Sequence, residues 1–153
     1  MKRSATILTI LVCFVAGIMC FASDANMGTW KLNEAKSKLA AGMGKNSMVV
    51  YEAAGDGVKV TVDGTDSEGK PTHNEWTGAF DGKDYPVTGD PTSDTRAYKK
   101  INSRTLQLTD KKDGKITYRG LIVVSADGKT RTVTIATTSM GKRMKSTGFY
   151  DKQ

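Results

Sequence analysis

The chain has 153 residues, a formal net charge of +7, one histidine and two cysteines. Both cysteines, Cys13 and Cys20, lie in an apolar leader, so the rest of the chain has no thiol, disulfide or cysteine metal site. About 130 residues follow the leader, enough for one domain with its own core. No linker or shift in composition indicates a second domain.

The first 22 residues have the pattern of a secretory signal peptide. Lys2 and Arg3 form a charged start, and an apolar run from Ala5 to Ala22 ends in small residues. The run is slightly short for a membrane span, the alternative interpretation. We therefore predict cleavage near Ala22, a single β-barrel domain over residues 23–153, and a periplasmic or secreted protein.

The net positive charge gives little information about binding partners. Loss of Lys2 and Arg3 lowers the net charge from +7 to about +5. Because the charges are scattered, they favour a solvated outer face, with at most weak contact with an anionic envelope surface. Nucleic acid is not expected as the partner of an exported protein, and we expect a monomer.

The predicted elements begin with a strand at GTWKLN, Gly28 to Asn33, directly after the leader. The segment Glu34–Ala41 fits a short helix or a loop equally well. Alternation of apolar and polar residues then predicts strands at VKVTVD, TLQLTD, TVTIATT and RMKSTGFYDK. Turn signals such as KDGK, at Lys112–Lys115, separate them at intervals of about 12–14 residues, close to the spacing of an all-β barrel or sandwich.

This pattern predicts an all-β fold. About 8–10 antiparallel strands joined by hairpins form an up-and-down meander, and closing it into a lipocalin-like barrel leaves no free sheet edge. A sandwich is the alternative, and it requires a long crossover. The candidate corners for one are Asn33–Lys45 and the proline-containing stretch Tyr85–Ser93.

Two short motifs resemble those of known barrel families. GTWKLN resembles the Gly-x-Trp opening of the calycins, the lipocalins and fatty-acid-binding proteins. STGFYDK, Ser146 to Lys152, resembles the last strand of intracellular lipid-binding proteins. As a whole, residues Met27–Lys152 resemble exported bacterial proteins with a lipocalin-like barrel. If the barrel closes, Trp30 on the first strand can plug the closed end, and Gly28 lets another backbone pass close by.

The chain also departs from these families. Fatty-acid-binding proteins place a carboxylate-binding Arg two residues before the terminal Tyr, and Gly148 occupies that position here. There is no room between Asn33 and Lys45 for a pair of portal helices, and the usual lipocalin disulfide is absent. The resemblance therefore implies the barrel without the fatty-acid site.

A barrel of this size either fills its interior with side chains or holds one small ligand. Arg96, Arg119 and Arg131 are candidate anion anchors if they face inward, which alternation leaves open. Tyr51 and Tyr150 could offer hydroxyls to a polar head group. The candidate cavity-lining residues are Trp30, Tyr51, Val60, Trp76, Phe80, Leu108, Ile135, Met144 and Tyr150.

No pattern predicts catalysis, a metal site or a cofactor. His73 is the only histidine and alternates with Glu75 on a polar strand face, which predicts a surface residue. No nucleophile elbow exists, and carboxylates such as Asp81 and Asp84 lie in turns, where turn chemistry explains them. We therefore expect a protein that is not an enzyme.

Two functions remain. The first is an exported calycin-like barrel that binds a small apolar or amphipathic ligand, such as a lipid-like molecule, in its interior. The second is a filled barrel that acts as an envelope accessory or interaction protein through its basic outer surface. The two differ in whether the interior contains a cavity of a few hundred Å³.

Overall fold

The computed structural model describes residues 24–139 and 141–153, and the leader with its cleavage site lies outside this part of the chain. The described residues form ten antiparallel β-strands, with one 3₁₀ turn at Glu34–Lys36. The strands are β1 (Gly28–Leu32), β2 (Lys45–Ala54), β3 (Gly57–Thr65), β4 (Pro71–Gly78), β5 (Tyr85–Thr88), β6 (Thr95–Asn102), β7 (Thr105–Lys112), β8 (Lys115–Val124), β9 (Thr130–Ser139) and β10 (Lys142–Lys152).

The strands form a closed up-and-down barrel, which confirms the predicted fold class. Each strand pairs with its sequence neighbours, and β1 pairs with β10 to complete the ring. In that last pairing Trp30 lies opposite Lys152 and Leu32 lies opposite Tyr150. Closure leaves no free edge, so every strand finds backbone partners on both sides.

Alternation and turn chemistry explain why these residues form these strands. In β3, Val60 and Val62 are buried while their neighbours are more exposed. The β7–β8 hairpin turns at Asp113 and Gly114, which have φ values of 50° and 73°. These positive values are those a tight two-residue hairpin requires, as the KDGK pattern predicted.

The stretch Tyr85–Ser93 is not a sandwich corner. It contains β5, a strand of four residues that bridges β4 and β6. Its pairing is short on both sides, with two residue pairs to β4 and two to β6. β5 is therefore the most weakly paired strand of the wall, and the loop that follows it, residues 89–94, contributes to one end of the barrel.

The barrel has two different ends, which we call the closed end and the open end. The closed end carries the segment 24–27 and the turns 55–56, 79–84, 103–104 and 125–129. The open end carries the loops 33–44, 66–70, 89–94 and 113–114. No α-helix occurs among the described residues. Their one helical element, the 3₁₀ turn at Glu34–Lys36, is too short to cross a membrane.

The segment predicted as a short helix or a loop, Glu34–Ala41, is mostly loop. Only Glu34–Lys36 forms a 3₁₀ turn, and Asn33 caps it by accepting a hydrogen bond from the Lys36 backbone N–H. The loop then follows β10, where Lys38 bridges to Thr147. It continues across one side of the open end.

Side chains fill the closed end. Trp30 is fully buried, and its Nε1 donates a hydrogen bond to the Asn26 backbone carbonyl at 2.7 Å. Trp76 belongs to the same core and forms an aromatic cluster with Phe80 and Tyr98, whose ring centroid lies 4.8 Å from that of Trp76. The closed half of the barrel is therefore a packed core.

Gly28 has a different role from the one predicted from the sequence. Its φ of +103° favours glycine, and an added Cβ would meet the Lys152 side chain at 3.0 Å, not a backbone. Lys152 crosses over Gly28 so that its Nζ lies 5.1 Å from the Trp30 ring centroid. The Gly-x-Trp opening therefore makes room for this cation on the Trp30 ring.

Trp30→Ala tests the importance of this plug. We expect the variant to lose about 3–5 kcal/mol of unfolding free energy, the usual cost of deleting a large buried aromatic side chain. Urea unfolding followed by far-ultraviolet circular dichroism measures the loss. Leu121→Ala, at an exposed position of β8, is the control and should change stability by less than about 0.5 kcal/mol. Equal stability of the two variants would contradict the plug.

Candidate functional site

A cavity of about 550 Å³ occupies the half of the barrel next to the open end. Its lining includes residues of β2–β4 and β6–β10, together with the loops 39–44 and 89–92. The volume of the cavity lies within the size range of small-molecule sites, roughly 300–1,000 Å³.

One side of the cavity wall is apolar and the other is polar. Residues of β8, β9 and β10 give the apolar side, which Thr117, Thr137, Thr138 and Ser146 interrupt and which ends at Arg131 in the floor. The polar side comes from β4, β6 and β7 and contains Asn74, Arg96 and Asp110. The apolar side chains that line the cavity away from its mouth include Val49, Val62, Leu108, Ile122, Val133 and Ile135.

The mouth of the cavity also has an apolar border. Leu39 and Ile116 line it, although their side chains are 38% and 46% exposed. Met43 and Met144 contribute flexible apolar side chains to the same lining. Exposed apolar residues around an opening are typical of surfaces over which apolar molecules pass.

The loop that carries Leu39 and Met43 is attached to the barrel wall. The Ser146 hydroxyl of β10, buried in the wall, accepts a hydrogen bond from the Ala40 backbone N–H at 3.2 Å. The Phe149 backbone N–H donates to the Ser37 hydroxyl at 2.8 Å. These contacts fix the first part of the loop against β10, so residues 39–44 are placed at the mouth by the wall itself.

The floor of the cavity consists of tyrosine rings and one arginine. Tyr51, Tyr98 and Tyr150 line it, and the guanidinium of Arg131 lies among them. The Arg131 Cζ is 4.8 Å from the Trp30 ring centroid and 5.0 Å from those of Tyr51 and Tyr150. Burial raises the pKa of Tyr150 to about 12, so its hydroxyl is neutral near pH 7.

Arg96 is the centre of a buried ionic network on the polar side. Its Nε and Nη2 bind the two carboxylate oxygens of Asp110 at 2.9 and 3.0 Å. Nη1 donates to the Asn74 side-chain oxygen at 3.1 Å, and Nη2 also donates to Asp90 at 3.1 Å. The network joins β4, β6 and β7 to the loop 89–94 at the mouth.

The network contains one positive group, Arg96, and two negative groups, Asp110 and Asp90. Burial by itself lowers the pKa of Arg96, but Tyr98 and the carboxylates of Asp110 and Asp90 raise it above its ordinary value. Burial raises the pKa of Asp110, and the hydrogen bonds and charge of Arg96 oppose that shift. Two carboxylates and one guanidinium therefore leave no positive charge here for a ligand.

The nine side chains proposed from the sequence divide into two groups. Five of them line the cavity: Tyr51, Leu108, Ile135, Met144 and Tyr150. The other four lie in the packed core and do not line it: Trp30, Val60, Trp76 and Phe80. Alternation placed all nine on the inward side, but it carries no information about the height at which each lies in the barrel.

Sequence reasoning left the direction of Arg96 open and missed Asn74, Tyr98 and Asp110 on the polar wall. Arg96 and Tyr98 occupy alternate positions of TRAYKK, but alternation alone did not show which set of positions faces inward. The signal that could have found them is Asp110, which follows Leu106 and Leu108 at the same period of two. An Asp on one inward face implies a cation on the facing strand.

The remaining polar candidates lie on the outside. Arg119 is exposed on β8, so only Arg96 and Arg131 of the three candidate arginines face the interior. His73 is exposed, as predicted, and its Nδ1 lies 2.7 Å from the Asp63 carboxylate. Within residues 24–139 and 141–153, no three His, Cys, Asp or Glu side chains are grouped so that they could hold a metal ion.

No protein-family model matches the chain, and no curated protein matches it significantly.

A double-mutant cycle tests the ionic network. Removing one partner leaves a buried charge unpaired, so we expect Arg96→Met to cost about 3–5 kcal/mol of unfolding free energy near pH 7. Replacing both partners, as Arg96→Met with Asp110→Leu, should cost less than Arg96→Met alone. Urea unfolding of the single and double variants measures the coupling, and strictly additive costs would contradict it.

The stability of Arg96→Met should depend on pH. Burial raises the pKa of Asp110, and without Arg96 nothing in the pair opposes that shift. The folded state then takes up a proton before the unfolded state as the pH falls. The destabilisation of Arg96→Met should therefore shrink as the pH is lowered from neutrality, and a cost that does not change with falling pH would count against a buried Asp110 carboxylate.

Proposed function

We propose that this protein binds a small apolar or amphipathic molecule in the interior of its barrel. The observation that carries the proposal is the cavity of about 550 Å³, which opens at one end and is closed at the other by packed side chains. Removal of apolar surface from water drives such binding, and a few polar groups orient the ligand.

The mixed wall supports an amphipathic ligand over a wholly apolar one. The side formed by β8–β10 offers Ile122, Val133 and Ile135 for apolar contact. Polar atoms of the opposite side and of the floor, including the Asn74 amide and the Tyr51 hydroxyl, are available for orientation. A ligand with no polar group would leave these atoms without partners inside the barrel, which costs binding energy.

The alternative, an envelope accessory protein with a filled interior, receives less support. Side chains fill only the closed half, where Trp30, Trp76 and Leu106 are buried. The open half holds the cavity. A packed barrel has no need for an opening bordered by apolar side chains, whereas ligand entry does.

We further propose that the chain is exported and cleaved after Ala22. The proposal rests on the charged start at Lys2 and Arg3 and on the apolar run that follows.

A neutral fluorescent probe tests binding in the cavity. N-phenyl-1-naphthylamine brightens when it enters an apolar site, and we expect saturable, one-to-one binding by the protein. Ile135→Trp fills part of the cavity and should weaken binding by about tenfold or more, because the added ring takes the space of the probe.

Leu121→Trp is the matched control. Leu121 lies on the outer face of the neighbouring strand and is 44% exposed, so its replacement adds the same ring outside the barrel. It should leave the affinity unchanged, with far-ultraviolet circular dichroism confirming that both variants fold. Equal affinities of the two variants would place the probe outside the cavity and contradict the proposal.

Native mass spectrometry of the protein expressed with its leader tests export and cargo together. We expect a monomer with the mass of residues 23–153. We also expect it to carry a small molecule that organic solvent releases. An intact leader would contradict export. A bare protein that also takes up nothing from a lipid extract would contradict ligand binding.

A further inference from the structure

Arg131 lies in the floor of the cavity, next to the packed core. It is the second residue of β9, opposite Tyr150 on β10, and its side chain is directed inward. Only 2% of its surface is exposed. Below it Trp30 fills the closed end, so the guanidinium separates the packed core from the hollow half of the barrel.

This guanidinium lacks a counter-charge in the part of the protein that the structure describes. Nε and Nη1 are buried and have no hydrogen-bond partner among those residues. The groups around it are the ring faces of Trp30, Tyr51 and Tyr150, which attract a cation without neutralising it. Buried charges in proteins are normally paired with an opposite charge.

The neighbouring polar groups are neutral or already engaged. The Tyr150 hydroxyl donates to the Asn46 backbone carbonyl at 3.0 Å, and its raised pKa of about 12 keeps it from being a tyrosinate. Asp110 and Asp90, which line the cavity on its polar side, are bound to the arginine of the ionic network. Asp66 lies in the β3–β4 turn at the mouth, where it accepts backbone hydrogen bonds within that turn. The floor therefore carries one uncompensated positive charge.

We infer that Arg131 is the binding residue for the anionic head of an amphipathic ligand, which enters the cavity charged end first. This inference rests on the proposed function and narrows it to one ligand class. The head is a carboxylate or a phosphate monoester at the inner end, and the body is an apolar skeleton that contacts Ile122, Val133 and Ile135.

The position differs from the one the resemblance implies. Fatty-acid-binding proteins are expected to have their arginine on the last strand, where this chain has Gly148. A Cβ on Gly148 would lie 2.8 Å from Tyr150 Cε2, so no side chain fits there without moving that ring. The cation comes instead from the adjacent strand, opposite Tyr150.

Matched twelve-carbon ligands test the inference. Dodecanoate, dodecanol and dodecyltrimethylammonium share a chain and differ in charge, and each is titrated against protein carrying N-phenyl-1-naphthylamine. We expect dodecanoate to displace the probe at concentrations about 10- to 100-fold lower than dodecanol, as for hydrogen bonds to a charged group. The cation should be the weakest competitor.

Arg131→Met removes the charge and keeps an apolar side chain of similar length. It should abolish the preference for dodecanoate over dodecanol and leave the affinity for dodecanol nearly unchanged. Arg119→Met makes the same change of net charge on the outer face of β8 and should retain the preference. Arg131→Lys retains a cation and should keep part of the preference for dodecanoate. It provides a second test if Arg131→Met fails to fold.

The outcomes separate the inference from the proposed function. Equal displacement by dodecanoate and dodecanol in the unmodified protein would overturn the inference and leave ligand binding standing. Loss of the preference in Arg119→Met as well as in Arg131→Met would also overturn it, because the effect would then belong to the net charge. Failure of the probe and of all three ligands to bind would overturn both.

Two further competitors define the head group. Monododecyl phosphate shows whether a phosphate is accepted as well as a carboxylate, and displacement by either supports the inference. Acetate carries the charge without the apolar body. Displacement by acetate at the concentrations at which dodecanoate acts would overturn the amphipathic part of the inference, because the site would then take free small anions.

Discussion

Pairing of β1 with β10 is the constraint on which the rest of the structure depends. A meander of ten strands that stopped short of closure would expose two edges and would have no enclosed interior. Closure brings Leu32 opposite Tyr150 and Trp30 opposite Lys152. It therefore places the residue that fills the closed end beside a residue that forms the cavity floor, so the same contact determines where packing stops and empty space begins.

The interior of the barrel also contains two buried arginines in different electrostatic surroundings. Arg96 and Arg131 are both buried, but they have opposite surroundings. Arg96 faces two carboxylates and an amide, and its bonds hold the wall and the loop 89–94 together. Arg131 faces three aromatic rings. One cation is a structural group, and the other leaves a positive charge directed at the cavity.

Much of the fold follows from the sequence because it depends on local patterns. The period of two along VKVTVD and the Asp-Gly turns predict strands and hairpins, and closure follows from the need to remove edges. What lies within the barrel depends on contacts between distant strands. Asp110 and Arg96 are neighbours only through the register of β6 and β7, and that register cannot be read from either strand alone.

The candidate site shows the same limit. Tyr51 and Tyr150 line the cavity, whereas Trp76 and Phe80, which also point inward, pack in the core. The cavity-lining residues and the core residues differ in their height along the barrel axis. That height depends on how the strands are staggered relative to one another. Arg131 was left undecided because alternation was taken to leave its direction open. Its burial and its place in the cavity lining, opposite Tyr150, show that it is directed inward.

Both ends of the described chain lie at the closed end of the barrel. Asn26 accepts the hydrogen bond from Trp30 there, and the Gln153 backbone N–H donates to the Thr29 carbonyl beside it. The cavity opens on the opposite side. A polypeptide or surface joined to either terminus would therefore hold the barrel with its mouth facing away. Attachment at either chain end would leave the opening of the cavity accessible.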